Sequence, residues 1–182
     1  MSLIGYNLLN TIVKDRAITQ PSLILDELSK QITVTLNQNA EGGKVKDGMD
    51  IAVCSYHPAT RMLEYAGAHN AMYHVRKGVL TEYKSDKQPI GKTSMHDPGF
   101  KFTPHSIAIE KDDLVYLFTD GYCDAIGGPK KTKFFYPPFR KLLTDISTQP
   151  LDQQQKKLTD TINDWLGGRE QVDDIAVMGV RF

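Results

Sequence analysis

The chain has no excess charge of either sign, few cysteines and no long apolar run. Lys and Arg number 22 and Asp and Glu also number 22 among 182 residues, so the charge balance does not indicate a surface for nucleic acid or anionic membrane. No segment approaches the roughly 20 apolar residues of a membrane span, and the first residues lack the basic flank of a signal peptide. Cys54 and Cys123 stand alone, which predicts two free thiols in a reducing cytoplasm.

Several widespread catalytic motifs are missing as well. The sequence contains no Gly-x-x-x-x-Gly-Lys phosphate loop, no Gly-x-Ser-x-Gly elbow and no kinase motif set. Four histidines are scattered without the spacing of zinc ligands: His57, His74, His96 and His105. The acidic residues are therefore the remaining candidates for a catalytic role.

The apolar pattern predicts an α+β fold in a single domain covering residues 1–182. Helical stripes indicate helices over residues 3–15 and 21–36, and further helices over 139–146 and 151–166. Between them, alternating runs predict a meander of strands, including hairpins around residues 77–78 and 110–113. A last strand is predicted over residues 175–182. Helices packed on a largely antiparallel sheet would result.

Two acidic segments adjoin predicted strands. Asp120 follows an apolar strand and precedes Gly121, while Asp173 and Asp174 open the last predicted strand. Carboxylates in such positions suit hard cations such as Mg²⁺ or Mn²⁺. Judged by local pattern alone, each is more often a turn or solvated residue. Because neighbouring strand residues point to opposite faces, only one of Asp173 and Asp174 is expected to face a given site.

Two further segments have both a functional and a structural interpretation. His69 and Asn70 follow small residues between two strands, so His69 could donate to a phosphate, although a turn whose histidine bonds the backbone is favoured. Residues 127–133, Gly-Gly-Pro-Lys-Lys-Thr-Lys, form a basic loop that suits an acidic or phosphorylated partner or solvent equally well.

Taken together, these segments resemble the PPM family of metal-dependent Ser/Thr phosphatases, in its bacterial SpoIIE/RsbU branch. Residues 117–121 (Leu-Phe-Thr-Asp-Gly) and 172–177 (Val-Asp-Asp-Ile-Ala-Val) resemble its two C-terminal metal motifs. Residues 65–70 resemble its Ala-Gly-His-Asn segment with one extra alanine, and residues 47–50 and 88–91 resemble two further segments. The order and spacing of these segments agree over nearly the whole chain.

The resemblance implies an antiparallel β-sandwich flanked by helices and a two-metal hydrolase. Asp120 and Asp173 would be ligands of Mn²⁺ or Mg²⁺, with Gly121, Asp174, His69 and Asn70 as site neighbours. Two such ions would activate a water for direct attack on phosphorus. The implied substrate is a phosphoserine or phosphothreonine on a regulatory protein of the anti-sigma antagonist type. An upstream sensor domain is usual in this branch.

The sequence departs from the family pattern at its start. The opening strands, with an Asp-Gly motif and a Gly-His-Gly segment, are not found before the first helix. We therefore expect weak metal binding, little phosphatase activity, and a homodimer formed through the exposed sheet edge. A non-catalytic pseudophosphatase module is the alternative. An aspartyl-phosphate hydrolase using Asp120 is disfavoured, because the second acid expected two residues on is Tyr122.

Overall fold

The computed structural model describes residues 2–38, 48–91 and 99–182. The helices found there are α1 (Ser2–Asn10), α2 (Pro21–Gln38), α3 (Gly121–Asp124), α4 (Tyr136–Ile146) and α5 (Leu151–Leu166), and a π-helical turn, Thr11–Asp15, continues α1. The strands are β1 (Ile51–His57), β2 (Met62–Ala68), β3 (Met72–Arg76), β4 (Val79–Tyr83), β5 (His105–Ala108), β6 (Leu114–Phe118), β7 (Ile126–Gly127), β8 (Thr132–Lys133) and β9 (Val177–Arg181). Asp47 and His96, both named above, lie outside the described residues.

The chain separates into two compact units. The first comprises Met1–Ala71 with Lys84–Ile109, and the second comprises Met72–Tyr83 with Glu110–Phe182. The expectation of a single domain over residues 1–182 stays a prediction.

In the first unit, helix α2 packs on a small antiparallel sheet of order β1-β2-β5. The predicted stripe is buried as expected, since Leu25, Leu28 and Ile32 are fully shielded from solvent. Ala66 and Ala68 of β2 join the same apolar cluster. Two segments that resemble family motifs meet here, because Met49 and Ile90 exchange backbone hydrogen bonds of 3.0 and 2.9 Å.

The second unit is built on a four-stranded antiparallel sheet of order β4-β3-β6-β9. Its core is aromatic: Tyr73 of β3, Phe118 of β6 and Phe139 of α4 pack with ring centroids 4.6–6.3 Å apart. Tyr122 of α3 joins them 4.7 Å from Phe139. Burial of these rings fixes the end of β6 against the helices.

The predicted hairpin around residues 110–113 is wrong. Strand β5 pairs with β2 of the first unit, whereas β6 pairs with β3 and β9 of the second. The connection instead carries Asp113, whose buried carboxylate is bonded to Arg76 at 2.6 and 2.9 Å. Strand spacing alone cannot tell a hairpin from a switch between sheets, because both need only a short connection.

Four smaller observations complete the fold. Strand β9 begins at Val177, two residues later than predicted. The basic segment 127–133 includes the short β7–β8 hairpin rather than being only a loop. Neither Cys54 nor Cys123 takes part in a disulfide within the described residues, and burial raises the pKa of each to about 12. Across the described ranges, none of the helices has the length and apolar character needed to cross a bilayer.

Candidate functional site

The pairing of β6 with β9 brings the two acidic segments together. The last paired residues are Phe118 and Val177. Beyond them, the Thr119 backbone N–H donates to the Ala176 carbonyl at 3.0 Å. The Thr119 hydroxyl donates to the Asp174 carbonyl at 2.8 Å and accepts from the Ala176 N–H at 2.9 Å. Thr119 therefore fastens the chain at residues 174–176 beside the end of β6.

Gly121 allows this approach because it has no side chain. A Cβ built there would lie 2.5 Å from the Asp174 carbonyl oxygen and 3.3 Å from Cβ of Asp173. The first distance is shorter than real Cβ contacts, so the segment 173–174 would have to move. The group closest to the Cβ position of Gly121 is therefore the backbone of Asp174.

The carboxylate of Asp120 is exposed at the start of α3. Its backbone carbonyl accepts from the Asp124 N–H at 2.9 Å, but its side chain makes no capping hydrogen bond. Asp173 and Asp174 are also exposed, and both precede β9 rather than opening it. The expectation that they alternate between faces of a strand is therefore wrong, since the pleat begins three residues later.

Lys133, whose ammonium feels the charges of Asp120 and Asp173, was not identified as a site residue from the sequence. Its Nζ donates to Asp124 Oδ2 at 2.7 Å. That hydrogen bond, together with the charges of Asp124, Asp120 and Asp173, raises the pKa of Lys133. The negative charges of Asp120 and Asp173 thus both favour the charged form of the Lys133 ammonium. The only signal in the sequence was the basic composition of residues 127–133.

A cleft of about 160 Å³ opens at this point of the second unit. Its lining includes Gly121, the charged residues Asp124, Lys133, Glu170 and Asp173, and apolar residues such as Leu166. Tyr122, which an aspartyl-phosphate mechanism would need to be an acid, is buried, and its hydroxyl donates to the Leu158 carbonyl at 2.9 Å.

His69 and Asn70 belong to the first unit, where the backbone turns sharply. His69 has a left-handed φ of 60° and its N–H donates to the Asp86 carbonyl at 2.9 Å. The Tyr65 hydroxyl donates to the Asn70 carbonyl at 2.7 Å, and Gly67 leaves room for this contact. These bonds fix the backbone of the segment, and the one made by His69 comes from its backbone rather than from its ring. The ring of His69 is exposed.

The side chains of Asp120 and Asp173 are of the type that binds a divalent cation. Both side chains offer the oxygen donors that Mg²⁺ and Mn²⁺ take, and the contacts of Thr119 and Gly121 hold their two segments side by side. Within residues 2–38, 48–91 and 99–182, no set of three or more His, Cys, Asp or Glu side chains is arranged to hold a metal ion. Asp120 and Asp173 therefore form a partial donor set.

Comparison with known proteins gives one family match. The chain matches the family model for stage II sporulation protein E (SpoIIE) over residues 5–182. No curated protein matches it in sequence.

Among solved structures, the SiaA-PP2C domain of Pseudomonas aeruginosa superimposes with a TM-score of 0.85 at 24% identity, over 99% of this chain and 68% of that chain. The RsbU and RsbW domains of a Mycobacterium tuberculosis protein give a TM-score of 0.69 at 16% identity, over 97% and 45%. RsbX in complex with magnesium gives a TM-score of 0.61 at 12% identity, over 96% and 71%.

These structures confirm the predicted mixture of helices and antiparallel sheets as a PP2C phosphatase fold. The family match covers all but the first four residues and includes both acidic segments. The chain therefore belongs to the SpoIIE family of PP2C-type phosphatase domains.

Proposed function

We propose that this chain is a metal-dependent phosphoserine/phosphothreonine protein phosphatase domain of bacterial signalling, and that Asp120 and Asp173 are among its metal ligands. The observation that carries the proposal is the junction at Thr119 and Gly121, which holds the two acidic segments side by side. Membership of the SpoIIE family supports the reaction class.

Mn²⁺ or Mg²⁺ would be held by the carboxylates of Asp120 and Asp173. Such ions supply an activated water and neutralise charge on a phosphoryl group. RsbX, which has the same fold, is known in complex with magnesium. The contribution of this chain is to hold its two carboxylates in place, because Thr119 bonds the segment 174–176 and Gly121 lets it approach.

The substrate we propose is a phosphorylated regulatory protein of the anti-sigma antagonist type, in the cytoplasm, with an upstream sensor domain controlling the reaction. The family match supports this setting. The solved M. tuberculosis structure contains an RsbU domain together with an RsbW domain, which supports a partner-switching role for the fold.

A second candidate function is a pseudophosphatase that binds a partner without hydrolysing phosphate. It is favoured by the partial donor set, since the described part of the chain lacks a group of three or more metal-binding side chains. If the chain is a phosphatase, we expect its metal binding to be weak and its activity low.

Titration with Mn²⁺ separates the two functions. Electron paramagnetic resonance of free Mn²⁺ measures binding even when it is weak, and release of phosphate from a phosphoserine peptide measures turnover. For a phosphatase, we expect saturable Mn²⁺ binding and Mn²⁺-dependent hydrolysis, both lost in Asp120→Asn. Asp160→Asn is the matched control, because Asp160 is exposed on α5 and pairs with Lys156. A chain that does not respond to Mn²⁺ would be the binding module.

A further inference from the structure

Backbone hydrogen bonds and ring packing fix the residues that directly follow β8 within the second unit. The Phe134 N–H donates to the Ala125 carbonyl at 3.0 Å, and the Phe135 N–H donates to the Cys123 carbonyl at 2.7 Å. The Phe134 ring is buried edge-to-face against Trp165, with centroids 5.3 Å apart. These contacts fix the backbone immediately after Lys133.

Position distinguishes Lys133 from the other lysines of the hairpin. Lys130 and Lys131 occupy the exposed turn between the two strands, whereas Lys133 is the last residue of β8, next to buried Phe134. Its side chain is 48% exposed and reaches the carboxylate of Asp124 on α3. Only this lysine therefore has both an anchored backbone and a tethered ammonium.

The ammonium has donors to spare. A lysine ammonium carries three N–H donors, and Asp124 accepts one of them at 2.7 Å. Lys133 lines the cleft together with Gly121 and Asp173. Exposed carboxylates repel a phosphoryl dianion, so a substrate phosphate needs a fixed cation close to them.

We propose that Lys133 is the phosphoryl-binding residue of this site, with Asp124 as the residue that positions it. This inference rests on the proposed function, since it names the side chain that would recognise the substrate's phosphate group. The Lys133 ammonium also has a second effect: its positive charge repels a divalent cation held by Asp120 and Asp173.

These two effects predict opposite changes in one variant. In Lys133→Gln, affinity for inorganic phosphate in saturating Mg²⁺ should fall about tenfold, the size of one charge-assisted hydrogen bond. Affinity for Mn²⁺ should rise about threefold at moderate ionic strength, because a nearby positive charge is removed. Isothermal titration calorimetry measures the first change, and paramagnetic resonance of free Mn²⁺ measures the second.

Lys130→Gln is the matched control, because it removes the same charge from the turn of the same hairpin. It should leave phosphate affinity near that of the unmodified protein, and Lys133→Arg should retain most of that affinity. Asp124→Asn, which frees the ammonium, should weaken phosphate binding by less than Lys133→Gln. The fluorescence of Trp165 checks that each variant is folded, since its ring packs against Phe134.

The outcomes are distinguishable. Equal losses in Lys133→Gln and Lys130→Gln would overturn the proposal, because they would show only diffuse attraction by a basic hairpin. Normal Mn²⁺ binding without any phosphate binding would overturn the role of Lys133 and leave the metal site standing. Absence of Mn²⁺ binding in the unmodified protein would overturn the proposed function, and the role of Lys133 with it.

Discussion

Replacing Gly121 by alanine tests the junction that brings the acidic segments together. The new Cβ would lie 2.5 Å from the Asp174 carbonyl oxygen and 3.0 Å from its carbonyl carbon. Both contacts are backbone atoms, so the segment 173–174 must shift as a whole. That shift also breaks the hydrogen bond from the Thr119 hydroxyl to the same carbonyl, which is 2.8 Å long.

The cost can be worked from these contacts. Inserting a methyl group into a filled space costs about 1–3 kcal/mol, and the lost hydrogen bond adds about 1 kcal/mol. We therefore expect Gly121→Ala to lower the free energy of unfolding by about 2–4 kcal/mol. With a urea m value of about 2 kcal/mol/M, the unfolding midpoint falls by about 1–2 M. Mn²⁺ affinity should fall too, because Asp173 moves away from Asp120.

Fluorescence during urea unfolding measures the first effect. Trp165 is the single tryptophan of the chain and lies in the second unit, so it reports on the unit that contains the junction. Gly78→Ala is a useful control. Gly78 has a φ of +76° with no atom near its Cβ position, so alanine there should cost about 1–2 kcal/mol without changing Mn²⁺ affinity. A Gly121→Ala protein with an unchanged midpoint and unchanged Mn²⁺ affinity would refute the assigned packing.

Three further predictions address other contacts. Thr119→Val keeps the shape of the side chain but removes both hydroxyl hydrogen bonds, so it should lower the free energy of unfolding in urea by about 1–3 kcal/mol and weaken Mn²⁺ binding. Thr119→Ser, which keeps the hydroxyl, should behave like the unmodified protein. Equal losses in both variants would contradict the role of the hydroxyl. For Asp113, burial alone would raise its pKa, but hydrogen bonds from Arg76 and neighbouring groups lower it to about 2, against an ordinary value of 3.8. A depressed carboxyl pKa stabilises the fold above pH ~4, and about 2 kcal/mol should be lost as the pH falls from ~4 to ~2; Asp113→Asn should lack this acid-dependent loss, which unfolding at several pH values would show. Finally, β9 is one of the two edge strands of the described four-stranded sheet, and Met178 on it is 61% exposed. We therefore expect concentration-dependent dimerisation in sedimentation, which Met178→Lys should suppress. A monomer at high concentration would count against this expectation.

Much of the fold follows from local sequence pattern. The stripe of Leu25, Leu28 and Ile32 predicted helix α2 and its buried face, because helical periodicity and burial reflect the same physical requirement. Strands with turn signals between them, such as β3 and β4 around residues 77–78, were predicted for a similar reason. The hairpin at residues 110–113 was predicted wrongly, because the choice of pairing partner depends on distant strands.

The residues of the candidate site were likewise identified only in part from the sequence. Asp120, Gly121 and Asp173 were singled out from the sequence because acids beside apolar strands suit a hard cation, and the resemblance to a family added their roles. Their treatment as metal ligands stays a prediction. Lys133 was missed because its importance depends on where the β7–β8 hairpin folds, and a run of lysines looks the same in a solvated loop.

The sequence by itself determined the class of fold, the helical faces and the family to which the chain is similar. Each of these depends on residue type and on short-range spacing. Only the tertiary structure decided which strands pair, that Thr119 and Gly121 lock the two acidic segments together, and that Lys133 shares a cleft with Asp173. Residues some 50 positions apart become neighbours through strand pairing and close packing, and a local sequence pattern does not show which distant residues will meet.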